Sequence, residues 1–91
     1  MSIKIKIPEY LHDKTDGKPL IDVTGSTLRE CFAALVHRYP ALQGEIVDGQ
    51  GMLLFKWLIF INDRLANASD ELSTPVTEGD VVVLAPMIAG G

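Results

Sequence analysis

One amphipathic helix pattern, set between segments with strand patterns, constrains the fold more than any other feature of this sequence. Apolar residues recur every three or four positions along one stripe: Leu28, Cys31, Phe32, Leu35, Val36 and Tyr39. Thr27 and Glu30 predict a capping box, in which the Thr27 hydroxyl accepts the Glu30 amide and the Glu30 carboxylate accepts the amide of the cap residue. Pro40 ends the helix because proline cannot continue it. One helix can cover only one face of a sheet, so the pattern predicts a two-layer α+β domain.

Two strands are predicted before the helix. Apolar and polar residues alternate over residues 2–7, which is typical of a half-buried strand with isoleucines on one face and lysines on the other. Residues 13–18 contain the sequence Thr-Asp-Gly and predict a turn. Residues 20–23 then predict a second strand, which returns beside the first as a hairpin.

Three more strands are predicted after the helix. Residues 53–61 are rich in bulky apolar side chains and predict the central strand, followed by a short strand at 64–66. Residues 81–84 predict the last strand, which Pro86 ends because proline lacks the ladder donor. We also expect a short helical turn at 42–47, between the helix and these strands, and an irregular segment at 67–77, before the last strand.

This order of elements fits the β-grasp (ubiquitin-like) fold. That fold has a mixed sheet of four to five strands, with the first and last strands parallel at its centre and one main helix packed on one face. A chain of 91 residues is one domain in size. We therefore expect a β-grasp domain over residues 1–86 and a flexible C-terminal diglycine tail over residues 87–91.

Composition and motifs argue against several classes of function. The net charge of −4 gives no attraction to nucleic acids or anionic membranes. The longest apolar run, residues 52–61, is too short to span a bilayer, and no signal peptide is visible, so we expect a cytoplasmic protein. Cys31 is the only cysteine and falls on the apolar stripe, which favours core packing, while His12 and His37 lack metal-ligand spacing. Without a phosphate-binding motif or a nucleophile motif, we expect no bound cofactor and no enzyme active site.

Strand alternation predicts a partner surface on the side of the sheet opposite the helix. The side chains expected to face the helix are Phe55, Trp57, Ile59, Ile61, Val82 and Leu84. Those expected to face outward are Lys56, Leu58, Phe60, Val81 and Val83, together with Lys4 and Lys6 of the first strand. The result is an apolar patch edged by positive charge. Such a patch marks either a partner site or a homodimer interface.

The sequence ends in Gly90-Gly91, directly after a short segment that leaves the last strand. Glycine has no β-carbon, so two glycines can thread a narrow channel and leave the terminal carbonyl open to attack in another enzyme's pocket. A frayed end without a role is equally compatible with two glycines.

Three blocks of sequence resemble the ThiS/MoaD-type ubiquitin-like sulfur carrier family. This family includes the molybdopterin synthase small subunit and the thiamine-biosynthesis carrier. The blocks are residues 26–30 at the helix start, residues 59–62 before a turn, and residues 78–86, which lead into the terminal Gly-Gly. The segment Ile-Pro-Glu-Tyr-Leu at residues 7–11, followed by Thr-Asp-Gly, is most similar to the carriers used for cysteine biosynthesis.

The resemblance implies a carrier rather than a catalyst, although such a chain can be the small subunit of a sulfur-transferring complex. An ATP-dependent enzyme related to ubiquitin-activating enzymes would adenylate Gly91, and sulfur would replace the adenylate to give a thiocarboxylate. ATP would belong to that partner. The acceptor would be of the molybdopterin synthase large subunit, thiazole synthase or cysteine synthase type. The residues expected to contact partners are Gly90, Ala89, Ile88, Met87, Phe60, Leu58 and Val83. The alternatives are a protein modifier conjugated through Gly91 and a β-grasp binding module that does not use its tail.

Overall fold

A computed structural model of the chain describes residues 2–50, 54, 57–66 and 71–86, which form a five-stranded mixed sheet with a helix on one face. The strands are β1 (Ile3–Lys6), β2 (Leu20–Val23), β3 (Trp57–Ile61), β4 (Arg64–Leu65) and β5 (Val81–Pro86), and the helix is α1 (Leu28–Arg38). The order across the sheet is β2-β1-β5-β3-β4, with β1 and β5 parallel and the other neighbours antiparallel. The predicted β-grasp fold is confirmed.

The core lies between α1 and the inner face of the sheet. Each strand places alternate residues there, as the period of two predicts. The fully buried side chains of this layer include Ile3, Ile5, Ile21, Ile59 and Val82 from the sheet and Leu28, Cys31, Phe32 and Leu35 from the helix. Trp57 and Leu84 are also buried as predicted, whereas Ile61 is half-buried and packs against the edge of the core. Each large aliphatic side chain buried in this way contributes about 1.5–3 kcal/mol.

The start of α1 is capped and tied to the segment that precedes β5. The Thr27 hydroxyl accepts the Glu30 amide at 3.3 Å, which confirms the predicted cap. The Glu30 carboxylate accepts the Ser26 amide at 2.6 Å, one residue before the cap residue that was predicted to donate. The Leu28 amide donates to the Thr74 carbonyl at 3.1 Å, so one of the otherwise unsatisfied first-turn donors has a backbone partner.

The strand predicted at residues 53–61 is wrong at Leu54 and in its place in the sheet, and residues 53, 55 and 56 lie outside the described residues. The strand begins at Trp57, and the Leu54 amide instead donates to the carbonyl of Ile46 in the preceding loop at 2.9 Å. Leu54 still packs against the core, so this apolar residue contributes to burial without being part of the sheet. The central strand is β5, and β3 lies between β5 and β4.

Three 3₁₀ segments occur where the sequence predicted turns or irregular chain. The first, Glu9–Thr15, precedes the tight turn at Asp16 and Gly17, whose φ angles are +57° and +78°. The second, Pro40–Leu42, lies before the helical turn that was predicted at residues 42–47. The third, Glu71–Ser73, falls in the segment predicted to be irregular.

Candidate functional site

The face of the sheet opposite α1, called here the outer face, carries the side chains that were predicted to bind partners. Leu58 and Phe60 of β3 and Val81 and Val83 of β5 lie on it, and all four are half-buried. No second layer covers them among the described residues, so their exposed surface is available to a partner. Phe55 and Lys56, assigned to the two faces from the sequence, lie outside the described residues.

Strand register brings one residue from each strand into a line across the outer face, called here the cross-strand row. Lys6 lies opposite both Leu20 and Val83, and Phe60 lies opposite both Val83 and Leu65. The row is therefore Leu20, Lys6, Val83, Phe60 and Leu65 in spatial order. With strands about 4.8 Å apart, it is roughly 19 Å long. Its end members are unusually exposed for leucine, Leu20 at 43% and Leu65 at 59%.

The two lysines of the outer face differ in their electrostatic state. The Lys4 ammonium pairs with Asp22 directly opposite on β2, at 2.8 Å. The hydrogen bond and charge of Lys4 lower the pKa of the Asp22 carboxyl below its usual range. Lys6 is exposed and forms no hydrogen bond or ion pair with the described residues. Among the described residues, the predicted positive edge thus comes mainly from Lys6.

The place where the tail begins is fixed to the core. β5 ends at Pro86, which lies opposite Trp57, and the preceding Ala85 lies opposite Leu58. The buried Trp57 indole donates to the Glu45 carbonyl at 2.9 Å, and the Tyr10 ring stacks on it with centroids 6.4 Å apart and planes 10° apart. A rigid anchor at Pro86 fixes where the tail begins. The predicted tail residues Met87, Ile88, Ala89, Gly90 and Gly91 lie outside the described residues.

The start of β5 is held by a polar network that joins two turns. Asp80 accepts the Thr77 amide and the Asn62 side-chain amide, each at 2.8 Å. These two bonds, the Thr77 amide first, lower the pKa of the Asp80 carboxyl. Asn62 also accepts the Val81 amide at 3.0 Å and has a φ of +50°, a left-handed conformation that asparagine tolerates. The sequence blocks at 59–62 and 78–86 therefore form one structural unit that fixes the start of β5 against β3.

The reactive side chain singled out in the sequence, the Cys31 thiol, lies in the core. Cys31 is fully buried, and burial raises the pKa of its thiol, so the predicted packing role is confirmed. The described part of the chain contains no group of three potential metal-ligating side chains. No helix in that part of the chain combines the length and the apolar character needed to cross a membrane.

Sequence reasoning missed Leu20 and Leu65 as members of the outer face. The alternation of Leu20 with Ile21, which faces the core, was a signal for an outward position, but nothing in the sequence put Leu20 beside Lys6. Leu65 belongs to a strand of two residues, which is too short to show a period. Pairing register was the missing information.

Comparisons with known proteins agree with this architecture. The model of the ThiS family matches residues 5–91. The chain is 29% identical over 93 residues to the sulfur carrier protein CysO of Mycobacterium tuberculosis, covering all of both chains. Its fold is similar to that of a chain in the BexX/CysO complex of Amycolatopsis orientalis, with a TM-score of 0.84, 25% identity, and coverage of 98% of this chain and 99% of that one.

A further likeness concerns the fold alone. The small archaeal modifier protein 1 of Methanosarcina acetivorans has a TM-score of 0.81 at 24% identity, with coverage of 99% of this chain and 96% of that one. The β-grasp topology, the sequence blocks that fix β5, and the family match over nearly the whole chain lead to one assignment. This protein belongs to the ThiS family.

Proposed function

We propose that this protein is a sulfur carrier that holds sulfur as a thiocarboxylate on the C-terminal carboxyl group of Gly91. The observation that carries the proposal is the position of the diglycine, whose members are the fourth and fifth residues beyond β5. This strand is central in the sheet and anchored at both ends. Membership of the ThiS family and the similarity to CysO support it.

The chemistry needs catalytic groups from a partner and only a carboxyl group from this chain. The Gly91 carboxylate attacks the α-phosphorus of ATP in the partner's site, and pyrophosphate leaves. A sulfide-level nucleophile then attacks the acyl carbon, the bond from that carbon to the phosphate oxygen breaks, and AMP leaves. Gly91 then carries a thiocarboxylate, a stable nucleophile that can pass its sulfur to an acceptor. Glycine suits both steps because no β-carbon hinders approach to the carbonyl.

Partner enzymes are proposed to bind the outer face while the tail enters their active site. Five residues beyond Pro86 reach at most about 18 Å. When a partner is bound over Leu58, Phe60 and Val83, the Gly91 carboxyl group can therefore reach only those parts of the partner that lie within that distance of Pro86. We propose an adenylating enzyme of the ubiquitin-activating type as the first partner and an acceptor of the cysteine synthase type as the second. The similarity to CysO supports the choice of acceptor over the molybdopterin and thiazole synthase types.

The test is an intact mass measurement after incubation with the adenylating enzyme of the source organism, ATP and sulfide. We expect a species heavier by the difference between sulfur and oxygen, with the change located at Gly91. A variant with one alanine added after Gly91 is the matched control, because its reacting carboxylate is displaced while the folded domain is unchanged. An unmodified wild-type mass with a competent enzyme would refute the carrier role.

The docking part of the proposal is tested by Phe60→Asp. The half-buried ring contributes to the outer face, so we expect the domain to fold and thiocarboxylate formation to slow at limiting enzyme. Phe32→Asp is the contrasting variant, because Phe32 is fully buried and its replacement should unfold the domain. Unfolding of Phe60→Asp, shown by circular dichroism, would contradict the assignment of this face.

Conjugation to lysines of other proteins shares the adenylation step and differs in the nucleophile that follows. An amine would attack in place of sulfide and leave an amide-linked product. A ladder of conjugates without a thiocarboxylate species would therefore replace the carrier role with that of a modifier. Function retained after extension of the tail would point instead to a binding module.

A further inference from the structure

The cross-strand row has a charge opposite in sign to that of the chain as a whole. The net charge is −4, yet the cross-strand row contains one lysine and no acid. Asp22, the acid of β2 on this face, is already engaged by Lys4 at 2.8 Å. Lys6 therefore contributes an uncompensated positive charge within an apolar surface.

The surroundings of Lys6 are such that a partner covering the outer face would desolvate its ammonium group. Its neighbours in the row are Leu20, 43% exposed, and Val83, half-buried. Glu9 and His12 line the same shallow depression, but neither forms an ion pair or hydrogen bond with Lys6. A partner that covers the row removes water from the ammonium group. Such burial is strongly unfavourable unless the partner supplies an opposite charge.

We propose that Lys6 is a specificity-determining residue, and that the adenylating enzyme presents a carboxylate side chain to it from within an apolar docking surface. The inference rests on the proposed function and goes beyond it by stating the chemistry of the partner's surface. Apolar contact with Leu58, Phe60, Val83 and the two exposed leucines supplies affinity. The Lys6–carboxylate pair rejects apolar surfaces that lack an acid, since these would bury the ammonium unpaired.

A second copy of this chain fits the outer face less well than such an enzyme. In a symmetric dimer both partners would offer the same row, which contains no acid. Neither Lys6 ammonium group would meet an acid of the partner's row, and Asp22 of each copy is already held by Lys4.

The experiment measures the KM of the adenylating enzyme for the full chain by ATP–pyrophosphate exchange. Lys6→Glu is compared with Lys18→Glu, which makes the same change in net charge at an exposed loop position before β2, outside the cross-strand row. We expect Lys6→Glu to raise KM at least about tenfold, because an attraction becomes a repulsion at a covered position. Lys18→Glu should stay within about twofold of wild type, and Lys6→Arg should restore most of the affinity.

The outcomes separate this inference from the proposal beneath it. If wild type supports exchange and Lys6→Glu has the same KM as Lys18→Glu, the role of Lys6 is refuted and the carrier role stands. If wild type supports no exchange and gains no thiocarboxylate, both fail. If Lys6→Glu does not fold, Lys6→Met replaces it as the test variant, because it keeps the aliphatic part of the side chain and loses the charge. We expect its KM to be higher than that of wild type, by less than the tenfold expected for Lys6→Glu. Sedimentation that shows a wild-type dimer broken by Phe60→Asp would assign the face to a second copy and overturn the inference.

Discussion

Gly25 lies where the chain crosses the first turn of α1, and replacing it with alanine tests how closely these two segments approach. A β-carbon at this position would lie 2.9 Å from the Glu30 β-carbon, 3.0 Å from the Cys31 backbone nitrogen and 3.1 Å from the Cys31 sulfur. The nitrogen belongs to the helix backbone and the sulfur to a fully buried side chain, so neither can move aside freely. Gly25→Ala must therefore shift the helix start against the segment that leads into it.

The cost can be estimated from two opposing terms. Overpacking of a tight contact costs about 1–3 kcal/mol. The alanine also restricts the unfolded chain, which returns about 0.4–1 kcal/mol. We expect a net loss of about 1–2 kcal/mol, and for a domain of this length that lowers Tm by roughly 5–15 °C.

Thermal unfolding followed by circular dichroism checks this value, with Gly49→Ala as the control. The nearest atom to a β-carbon at Gly49 is the side-chain nitrogen of Gln43 at 4.0 Å, so the control should be neutral or slightly stabilised. The double variant Gly25→Ala/Cys31→Ala should lose less stability than the sum of its parts, since it removes the sulfur from the contact. A Tm for Gly25→Ala equal to that of Gly49→Ala would refute the reasoning.

Three further predictions follow from single side chains. Hydrogen bonds from Thr77 and Asn62 lower the pKa of the Asp80 carboxyl in the folded protein below its usual 3.8. The contribution of Asp80 to stability is therefore present above pH 3.8 and is lost as the pH falls through the folded pKa. In urea unfolding, the free energy that Asp80→Asn loses relative to wild type should shrink below about pH 4. Cys31 should react with an alkylating reagent much more slowly in the native protein than in urea, because it is fully buried with a raised thiol pKa. Tyr10→Ala should shift the fluorescence emission of Trp57, the one tryptophan, to longer wavelength by uncovering the indole, whereas Leu20→Ala should leave it unchanged.

Local signals in the sequence were sufficient for the helix and for the inward and outward positions of the strands. The stripe from Leu28 to Tyr39 and the cap at Thr27 predicted α1 to within one residue, because capping and helical period act over neighbouring positions. Alternation likewise predicted the inner positions of β1 and β5 and the half-buried outer positions Phe60 and Val83. Where one face of a strand is exposed to solvent and the other packs on the core, polar and apolar residues alternate along the sequence.

Features that depend on pairing or on loop geometry could not be predicted in the same way. Leu54 is apolar because it packs on the core, and its sequence does not show that its amide bonds to Ile46 in a loop. The 3₁₀ segment Glu9–Thr15 buries Leu11 and Thr15, four residues apart, which is a pattern too short to distinguish it from a turn. The difference between Lys4 and Lys6 depends on the residues opposite them on β2, and a single sequence does not give that register.

The pairing register of β1 and β2 gives a last prediction. A carboxylate placed opposite Lys6 on β2 should form an ion pair with the Lys6 ammonium before any partner binds. Lys4 and Asp22 face each other as a cross-strand pair, and Lys6 and Leu20 form the pair two positions along the same strands. Leu20→Asp therefore repeats the geometry that gives Lys4 its ion pair, at a site exposed enough for the fold to tolerate the change. We expect this variant to raise the KM of the adenylating enzyme about five- to tenfold and to remove most of the salt dependence of that KM, because the partner's carboxylate no longer meets an unpaired charge.

Leu65→Asp, at the other exposed end of the row, loses comparable apolar contact but leaves Lys6 unpaired, so the KM for this variant should remain sensitive to salt. Equal salt dependence in the two variants would mean that Lys6 carries no charge-specific contact, and that the outer face binds its partner through apolar surface alone.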